Sequence, residues 1–320
     1  MIDKSISDFV IDVIEESSRL ALSVQNQMIT PTTVEKKDKS PVTVCDLAVQ
    51  ALVSRRLAER FPTDALVGEE SPDVFADESG QNLLDQVTRI VQEFEPSENR
   101  ESVASWIDRG KGAGDTRRYW VLDPVDGTKG FLRRQQYAIA LGLVEDSQPV
   151  LGALGCPCWN NGSVFYAQKG EGAYMKSLQS SEITQIHVSK TTDSSLARVL
   201  RSVESGHTNV GQIDLIIERL KISVGPVSID SQVKYGALAS GGAEILLRLI
   251  SSKMPDYKEK IWDQCAGMVV LQEAGGKVTD LDGKDLDFSQ GRTLALNRGI
   301  CATNGAIHSV VLDAIAAVGA

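Results

Sequence analysis

The sequence predicts an α/β protein of layered architecture, with an N-terminal α+β domain that contains an antiparallel sheet and a smaller C-terminal α/β domain. Three observations predict it. Helical apolar spacing dominates the first 94 residues, closely spaced strand patterns fill residues 119–176, and extended and helical segments alternate after Ile183. We place the domains at residues 1–183 and 184–320, because 320 residues suit two domains of ordinary size.

Two amphipathic helices are predicted before the first strand. Apolar side chains keep nearly helical spacing over residues 3–26, and a second helix is expected from residue 44 to residue 61, ended by Pro62. The polar segment TPTTVEKKDKSP, residues 30–41, contains two prolines and is interpreted as a mobile loop. A further amphipathic stretch covers about residues 81–94.

The sheet of the first domain is predicted from strand patterns that follow one another directly. A short strand at residues 65–67 comes first. The others cover residues 119–125, 137–145, 150–156, 163–168 and 172–176. Turn signals separate them and no helical pattern intervenes, so an antiparallel arrangement is expected.

Extended and helical patterns alternate in the second domain. They cover residues 199–203, 211–220, 227–230, 231–249 and 263–274. Residues 231–249 are interpreted as one helical stretch with a bend at Gly241-Gly242, where two glycines weaken the helix.

Composition excludes several classes of function. A formal net charge of −10 opposes nucleic-acid binding, although a small anionic substrate fits if a locally positive site or metal ions hold it. No apolar run approaches the roughly 20 residues of a membrane span, and we expect no leader peptide, no membrane association and a cytoplasmic location. A monomer is favoured. Five scattered cysteines are expected to be reduced and mostly buried, and the C-P-C tripeptide has no recognised metal spacing.

An acidic motif gives the strongest functional signal. In WVLDPVDGTKGF, residues 120–131, an apolar strand leads to Asp123 and Asp126, and Pro124 fixes the backbone between them. Two carboxylates so close are unfavourable unless a cation lies between them, and Mg²⁺ prefers such oxygen ligands. If a helix begins at Thr128, its free N–H groups would face an anion.

Each acidic position also has an ordinary structural interpretation. D-P-x-D alone can be an acidic turn, and Glu69 and Glu70 in V-G-E-E-S can lie in a solvated loop. Asp263, in I-W-D-Q-C, can be a helix N-cap, and Asp46 can be a first-turn acid that the helix dipole stabilises.

W-x-x-D-P-x-D-G-T-x-x-F, G-E-E-S and W-D-x-x-A-G followed by A-G-G together resemble the inositol monophosphatase superfamily, over essentially the whole chain. The resemblance implies a layered sugar-phosphatase fold and a lithium-sensitive phosphatase with two or three Mg²⁺ ions. It implies metal ligands at Glu69, Asp123, Asp126, Asp263 and the carbonyl of Val125, with Glu70 behind them. Asp46 and Thr128 would be catalytic, orienting and activating the attacking water.

Further segments resemble the 3′(2′),5′-bisphosphate nucleotidase branch of that superfamily. They are S-P-V-T-V-C-D, V-E-S-G-H, D-S-Q-x-K-Y, E-K-I-W-D and L-D-F-S-Q-G-R-T-L. The resemblance implies nucleotide contacts at Thr128, His207, Ser231, Lys234, Arg248 and Asp263. It implies hydrolysis of 3′-phosphoadenosine 5′-phosphate to AMP, the phosphosulfate analogue as a second substrate, and a role in sulfur assimilation.

Alternatives remain at this point. Lys234 and Arg248 can be solvated surface charges and His207 an ordinary loop histidine. On a straight helix the first two would lie about 21 Å apart, so a shared ligand requires the bend between them. The rival functions are an inositol phosphate phosphatase, which the nucleotide-side segments disfavour, and a non-catalytic nucleotide sensor, which would have no use for a full set of acidic ligands.

Overall fold

The structure, a computed structural model, describes residues 4–27, 33–35, 41–202, 210–251 and 253–320. The helices in these ranges are α1 (Lys4–Gln27), α2 (Val44–Arg60), α3 (Glu78–Phe94), α4 (Arg100–Asp108), α5 (Thr128–Leu132), α6 (Val210–Arg219), α7 (Val233–Ala239), α8 (Cys265–Glu273) and α9 (His308–Ala317). Among the residues that the structure describes, no helix combines the length and apolar character that crossing a bilayer requires.

The strands belong to three sheets. They are β1 (Thr33–Glu35), β2 (Pro41–Thr43), β3 (Ala65–Gly68), β4 (Arg118–Asp126), β5 (Ala138–Glu145), β6 (Gln148–Cys156), β7 (Ser163–Gln168), β8 (Gly172–Ser177), β9 (Ile183–Ile186), β10 (Val199–Arg201), β11 (Val227–Ser228), β12 (Ile245–Arg248), β13 (Lys277–Thr279) and β14 (Ile300–Thr303). Strands β1 and β2 pair as a small antiparallel ribbon; β1 lies inside the segment predicted to be a mobile loop, and β2 begins at its last residue, Pro41. The rest of that segment lies outside the described residues.

The large sheet has seven strands in the order β3-β4-β5-β6-β7-β8-β9. From β4 onward every neighbouring pair is antiparallel, which confirms the expectation from the closely spaced strand patterns. The exception is β3, which runs parallel to β4, so both strands end at the same edge of the sheet. That edge is where the acidic motif follows β4.

The second sheet has five strands in the order β11-β10-β12-β14-β13. Strand β10 is parallel to both β11 and β12, whereas β14 is antiparallel to its two neighbours. The large sheet ends at Ile186 and the small one begins at Val199. The domain division at residues 183/184 stays a prediction.

Layers of helix and sheet alternate because the central strands, such as β4, β5 and β6, bury side chains on both faces. One core cluster joins α1, α2 and α3 to the Leu122 face of the large sheet. A second joins the opposite face, represented by Val121, through α7 and α8 to the small sheet. A third packs α6 and α9 on the outer face of the small sheet. The close packing of α8 depends on Gly142 and Gly152, where an added Cβ would lie 2.5 Å from the Cys265 sulfur and 2.3 Å from the Ala266 carbonyl oxygen.

The prediction of one helical stretch over residues 231–249 is wrong. Helix α7 ends at Ala239, Gly241 has φ 76°, and the chain then enters strand β12. Ile245 and Leu247 pack towards α6 and α9, while Leu246 packs towards α8. This two-residue alternation is typical of a strand with both faces buried. In the sequence, so short an apolar run cannot be distinguished from part of a buried helix. Arg248 is therefore at the end of a strand.

One further helix begins later than predicted, and several elements were not predicted at all. The helix expected from Asp263 begins at Cys265, and no prediction covered α4, β9, β13, β14 or α9. Helix α4 had a local signal, since Asn99 and Ser102 form a reciprocal capping box at its start. All five cysteines carry free thiols, and only Cys158 is not fully buried.

Candidate active site

The acidic motif lies where β4 ends and α5 begins. Asp123 pairs with Ala140 and Asp126 with Ala138, so the register shifts between the two acids. Pro124 lies in this irregularity, where its missing N–H costs no ladder hydrogen bond. Asp123 is buried, with 2% of its surface exposed, and Asp126 is half-buried. The irregular strand end thus brings two carboxylates close together at one edge of the sheet.

Gly127 and Thr128 make the turn after these acids. Gly127 has φ 92°, and a Cβ there would lie 3.1 Å from the Cβ of Ser231. This conformation and close approach both favour glycine. Helix α5 begins at Thr128, which meets the condition stated for an anion site there, and the Thr128 hydroxyl donates to the Val125 carbonyl over 3.2 Å.

Glu69 follows β3 directly, next to the end of β4. Its backbone N–H donates to the Leu122 carbonyl over 3.1 Å, one residue before Asp123. The parallel pairing of β3 and β4 therefore brings Glu69 to the same edge as Asp123 and Asp126.

Helix α2 contributes Asp46, which is fully buried in the helix's first turn. One turn later Gln50, also fully buried, fixes the adjacent loop: its Oε1 accepts from the Glu70 N–H over 3.0 Å, and its Nε2 donates to the Glu70 carbonyl over 2.9 Å. Gly68 and Gly110 leave room for this side chain, since an added Cβ would approach it to 2.5 Å and 2.4 Å. Gln50 links the helix that carries Asp46 to the loop that carries Glu69.

Asp263 reaches the site from the C-terminal half of the chain. It lies two residues before α8, so it is not the N-cap, a position that Gln264 occupies. Arg248 Nη2 lies 3.9 Å from the Asp263 carboxylate, and Arg248 Nε lies 3.0 Å from Glu259.

The carboxylates interact strongly with one another. Burial raises the pKa of Asp123 well above its usual range, and Glu69, Asp126, Asp263 and Asp46 raise it further in that order. Burial likewise raises the pKa of Asp263, although Arg248 opposes the shift. Burial also raises the pKa of Asp126, against the opposing effects of Lys234, the Gln232 N–H and Arg248. The fold therefore concentrates negative charge that a cation would stabilise.

The donor set fits a hard cation. Asp123 Oδ1 is buried and has no hydrogen-bond partner among the described residues, and the surrounding donors are carboxylate and carbonyl oxygens. In the described part of the chain, no three histidine, cysteine, aspartate or glutamate side chains already enclose one ion position.

Two cationic side chains, Lys234 and Arg248, lie beside the acids and act on Asp126. Lys234, on α7, is 7% exposed and donates from Nζ to Ser202 Oγ over 2.6 Å. Burial and, next, the Arg248 charge lower the pKa of Lys234 to about 8. Lys234, Arg248, Arg201 and Ser202 line one cleft, so the structure brings together the two cations that the sequence separated by 14 residues.

Buried glutamines connect the two sides. Gln232 donates its backbone N–H to Asp126 Oδ2 over 2.6 Å, and its Nε2 donates to the Trp262 carbonyl over 3.0 Å. Gln264 accepts from the Tyr235 hydroxyl over 2.6 Å and donates to Glu259 over 2.9 Å, which in turn orients Arg248. Sequence reasoning missed Gln50, Gln232 and Gln264. The last two lie inside the D-S-Q and W-D-Q motifs, in which only the neighbouring Ser231 and Asp263 were singled out.

Two predicted residues remain to be placed. Ser231 lies just before α7 with φ 62°, and its hydroxyl accepts from the Val233 N–H over 3.3 Å. It is next to Gly127, beside the start of α5. His207 lies outside the described residues.

Comparisons with known proteins match nearly the whole chain to one family. The sequence pattern of the inositol monophosphatase family matches residues 6–320. Curated relatives carry the name "3'(2'),5'-bisphosphate nucleotidase". The relative from Oryza sativa is 40% identical, with 93% of this chain and 90% of the relative covered. The relative from Schizosaccharomyces pombe is 38% identical, with 96% and 94% covered.

Solved structures support the same fold. An "IMPase" of Thermotoga maritima superimposes with a TM-score of 0.69 at 22% identity, covering 98% of both chains. The "extragenic suppressor protein suhB" of Bartonella henselae gives 0.69 at 18% identity, covering 97% of this chain and 98% of that one. A full-length family match and relatives near 40% identity lead to one conclusion: the chain belongs to the inositol monophosphatase family.

Proposed function

We propose that the protein is a Mg²⁺-dependent phosphatase that hydrolyses the 3′-phosphate of 3′-phosphoadenosine 5′-phosphate, giving AMP and phosphate. The observation that carries the proposal is the buried carboxylate cluster with two cations beside it: Lys234 and Arg248 both act on Asp126, and Arg248 Nη2 lies 3.9 Å from the Asp263 carboxylate. A substrate with two phosphates needs cationic groups beyond those that act on the phosphate being cleaved. The relatives named 3′(2′),5′-bisphosphate nucleotidase support the same reaction.

The proposed Mg²⁺ ligands are Glu69, Asp123, Asp126, Asp263 and the Val125 carbonyl, for two or three ions. Bound Mg²⁺ would neutralise charge on the phosphate and make a water molecule more acidic. Glu70 lies behind this set, held through its backbone by Gln50.

Asp46 and Thr128 are the proposed catalytic residues. Because the Thr128 hydroxyl donates to the Val125 carbonyl, its oxygen lone pairs remain to accept a hydrogen bond from the attacking water. Asp46 is the candidate to take up or orient the water proton, since its carboxylate is buried and electrostatically coupled to Asp123. Asp123 Oδ1 has no hydrogen-bond partner among the described residues, so this oxygen is available to a cation.

The nucleotide side is assigned to Thr128, His207, Ser231, Lys234, Arg248 and Asp263. Lys234 and Arg248 supply two positive charges: Lys234 is held by the Ser202 hydroxyl, and Arg248 is oriented by the buried Glu259. An Arg guanidinium suits bidentate contacts with phosphate or ribose oxygens. The phosphosulfate analogue, 3′-phosphoadenosine 5′-phosphosulfate, would use the same contacts, because sulfate resembles phosphate in shape and carries negative charge.

A phosphate-release assay tests the proposal. Wild-type protein with Mg²⁺ is given 3′-phosphoadenosine 5′-phosphate, the phosphosulfate analogue and inositol phosphates in parallel. We expect turnover of the nucleotides, loss of turnover in EDTA, and loss in Asp126→Asn, which removes one carboxylate charge. Asp313→Asn, an exposed acid on α9, is the matched control and should retain full activity.

Other outcomes would change the assignment. Preferred turnover of inositol phosphates would favour the rival phosphatase function. Tight nucleotide binding without phosphate release would favour a nucleotide sensor.

A further inference from the structure

The segment around Arg292 runs beside the chain that leads to Asp263. The Ile261 N–H donates to the Arg292 carbonyl over 3.3 Å, and the Leu294 N–H donates to the Glu259 carbonyl over 2.9 Å. Lys260 and Thr293 form the antiparallel bridge between these two contacts. The backbone of residues 292–294 thus supports the stretch that carries Glu259 and Asp263.

The Arg292 side chain extends to the other half of the protein. Nη1 donates to the Gly110 carbonyl over 3.1 Å and to the Gly112 carbonyl over 3.0 Å, and Nη2 donates to the Gly68 carbonyl over 2.5 Å. The guanidinium carbon lies 4.8 Å from the centroid of the Trp262 ring. One planar group therefore binds three carbonyls of the large-sheet half and also contacts the indole next to Asp263.

We propose that Arg292 is a positioning residue that sets the separation between Glu69 and Asp263, and so tunes the affinity of the site for divalent cations. Gly68 directly precedes Glu69, and Trp262 directly precedes Asp263. The guanidinium contacts both neighbours, one through a hydrogen bond and the other through its ring face. This inference rests on the proposed function, since it assigns Arg292 to the same cation site.

The chemistry of the side chain explains why arginine suits this position. A guanidinium has five donors in a rigid plane and can stack on an aromatic ring at the same time. Lysine has a single ammonium, which cannot bind carbonyls of three different residues in these directions while lying flat on the indole. Burial lowers the pKa of the Arg292 guanidinium, and the nearby Glu69 charge opposes this shift.

Loss of Arg292 should loosen the link between the two halves of the ligand set. The carbonyls of Gly68, Gly110 and Gly112 would lose a donor, although Gly110 keeps the Gly68 N–H at 2.8 Å, so the loop should survive. Groups that orient metal ligands from behind typically contribute 10- to 100-fold in affinity, so we expect a drop of about tenfold.

The test is calorimetric titration of Mg²⁺ alone into Arg292→Ala, Arg292→Lys and wild type, without substrate, with unfolding temperatures measured in EDTA. We expect Mg²⁺ binding to be about tenfold weaker in Arg292→Ala, with Arg292→Lys recovering at most part of the loss. Arg298→Ala is the matched control, because Arg298 is 42% exposed and pairs only at the surface with Asp282. It should bind Mg²⁺ like wild type.

Steady-state assays on the bisphosphorylated nucleotide give a second measurement. The Mg²⁺ concentration for half-maximal activity should rise about tenfold in Arg292→Ala, whereas kcat at saturating Mg²⁺ should remain close to wild type. Unchanged Mg²⁺ binding in a folded Arg292→Ala would overturn the inference, and so would complete restoration by lysine. If wild type binds Mg²⁺ but does not hydrolyse the nucleotide, the proposed function fails while the titration still decides the role of Arg292.

Discussion

Two neighbouring carboxylates of the site, Asp123 and Asp126, have different electrostatic surroundings. The charged groups that most raise the pKa of Asp123 are acidic, whereas Asp126 accepts a hydrogen bond from the Gln232 N–H, and Lys234 and Arg248 lower its pKa. Asp126 therefore lies at the boundary between the carboxylate cluster and the cationic cleft. We expect the carboxylate cluster to act on the phosphate being cleaved and the cations to bind the rest of the nucleotide.

This division predicts a selective loss in Lys234→Ala and Arg248→Ala. Removal of one charged contact to phosphate or ribose costs roughly 1.5–3 kcal/mol, which is about one to two decades in kcat/KM. Slow, metal-dependent cleavage of a small generic phosphate ester should remain nearly unchanged, because that ester does not reach these residues. The measurement is kcat/KM of both variants and wild type on both substrates.

Equal losses on the nucleotide and the generic ester would contradict the division of roles. They would mean that these side chains support the fold or the cation site. Arg248 needs the closer control, because Glu259 and Asp263 depend on its charge. The unfolding temperature of Arg248→Ala should therefore be compared with that of Lys234→Ala.

His308 gives the fold a dependence on pH. Its buried ring lies between the Thr279 and Thr303 hydroxyls, at 3.0 Å and 2.9 Å. Because Thr279 already donates to the Asp280 carbonyl, it accepts from Nε2–H, and Nδ1 accepts from Thr303. Burial, and next Lys277, lowers the pKa of His308 from 6.5 to about 4. The neutral ring is thus the form that the folded protein holds.

The unfolded state therefore binds a proton between pH 6.5 and about 4 that the folded state does not. Stability should fall as pH falls through this window, by at most about 3 kcal/mol from this residue. We expect His308→Gln to lose this part of the acid dependence when unfolding free energies are measured between pH 7 and pH 4. His187→Gln, at an exposed position, should follow wild type. Parallel profiles for wild type and His308→Gln would refute the assignment.

At the level of elements, the junction between α7 and β12 decides whether Lys234 and Arg248 can meet. Glu244 is fully buried there, and its carboxylate accepts from the Arg198 backbone N–H over 2.6 Å and from the Arg198 guanidinium over 2.6 Å and 3.1 Å. Arg198 Nη2 also donates to the Gly241 carbonyl over 2.8 Å. This ion pair holds the turn that ends the helix and begins the strand.

Glu244→Ala should therefore destabilise the protein substantially. Removal of one partner of a buried ion pair costs about 3 kcal/mol or more, and the lower end applies because the Arg198 side chain is 36% exposed. The measurement is denaturant unfolding, with Glu218→Ala as the control at an exposed position of α6. A loss below about 0.5 kcal/mol, the range of ordinary surface substitutions, would show that the pair does not hold the junction.

The same junction shows where sequence reasoning reaches its limit. The glycine pair correctly marked the end of α7, but Ile245, Leu246 and Leu247 fit either periodicity, and only pairing with β10 and β14 decides for a strand. By contrast, the strands from β4 to β8 were predictable, because turn residues separate long alternating segments. Local sequence patterns determine the strands from β4 to β8, whereas tertiary contacts determine that residues 245–248 form a strand.

The candidate site was predictable to a similar extent. The acids and basic residues lie in distinctive motifs, so a sequence can point to them. Four supporting residues were not predictable in this way: Gln50, Gln232, Gln264 and Arg292. They bind backbone or side-chain groups that are distant in the chain, and the contact between Arg292 and Gly110 spans 182 residues. No local spacing records such contacts.

At the scale of the whole molecule, the site depends on both sheets at once. Asp123 and Asp126 lie at the end of β4 and Glu69 directly follows β3, both in the large sheet, whereas Asp263 precedes α8, which lies between the sheets. The same core cluster joins Val121 of the large sheet, α8 and Leu246 of the small sheet. The two halves should therefore unfold together, and an ion bound between them should stabilise both.

This coupling predicts that Mg²⁺ raises the unfolding temperature of the entire chain. An ion that binds only the folded state at a hundredfold excess over its Kd contributes about 2.7 kcal/mol, which corresponds to a rise of roughly 5 °C for a protein of this size. Differential scanning calorimetry with Mg²⁺ and with EDTA measures the effect. We expect one transition that moves as a unit, and Asp126→Asn should abolish most of the shift while it keeps its own transition in EDTA. Two separate transitions, of which Mg²⁺ moves only one, would show that the ligands belong to one half alone, because an ion held by both halves must stabilise both.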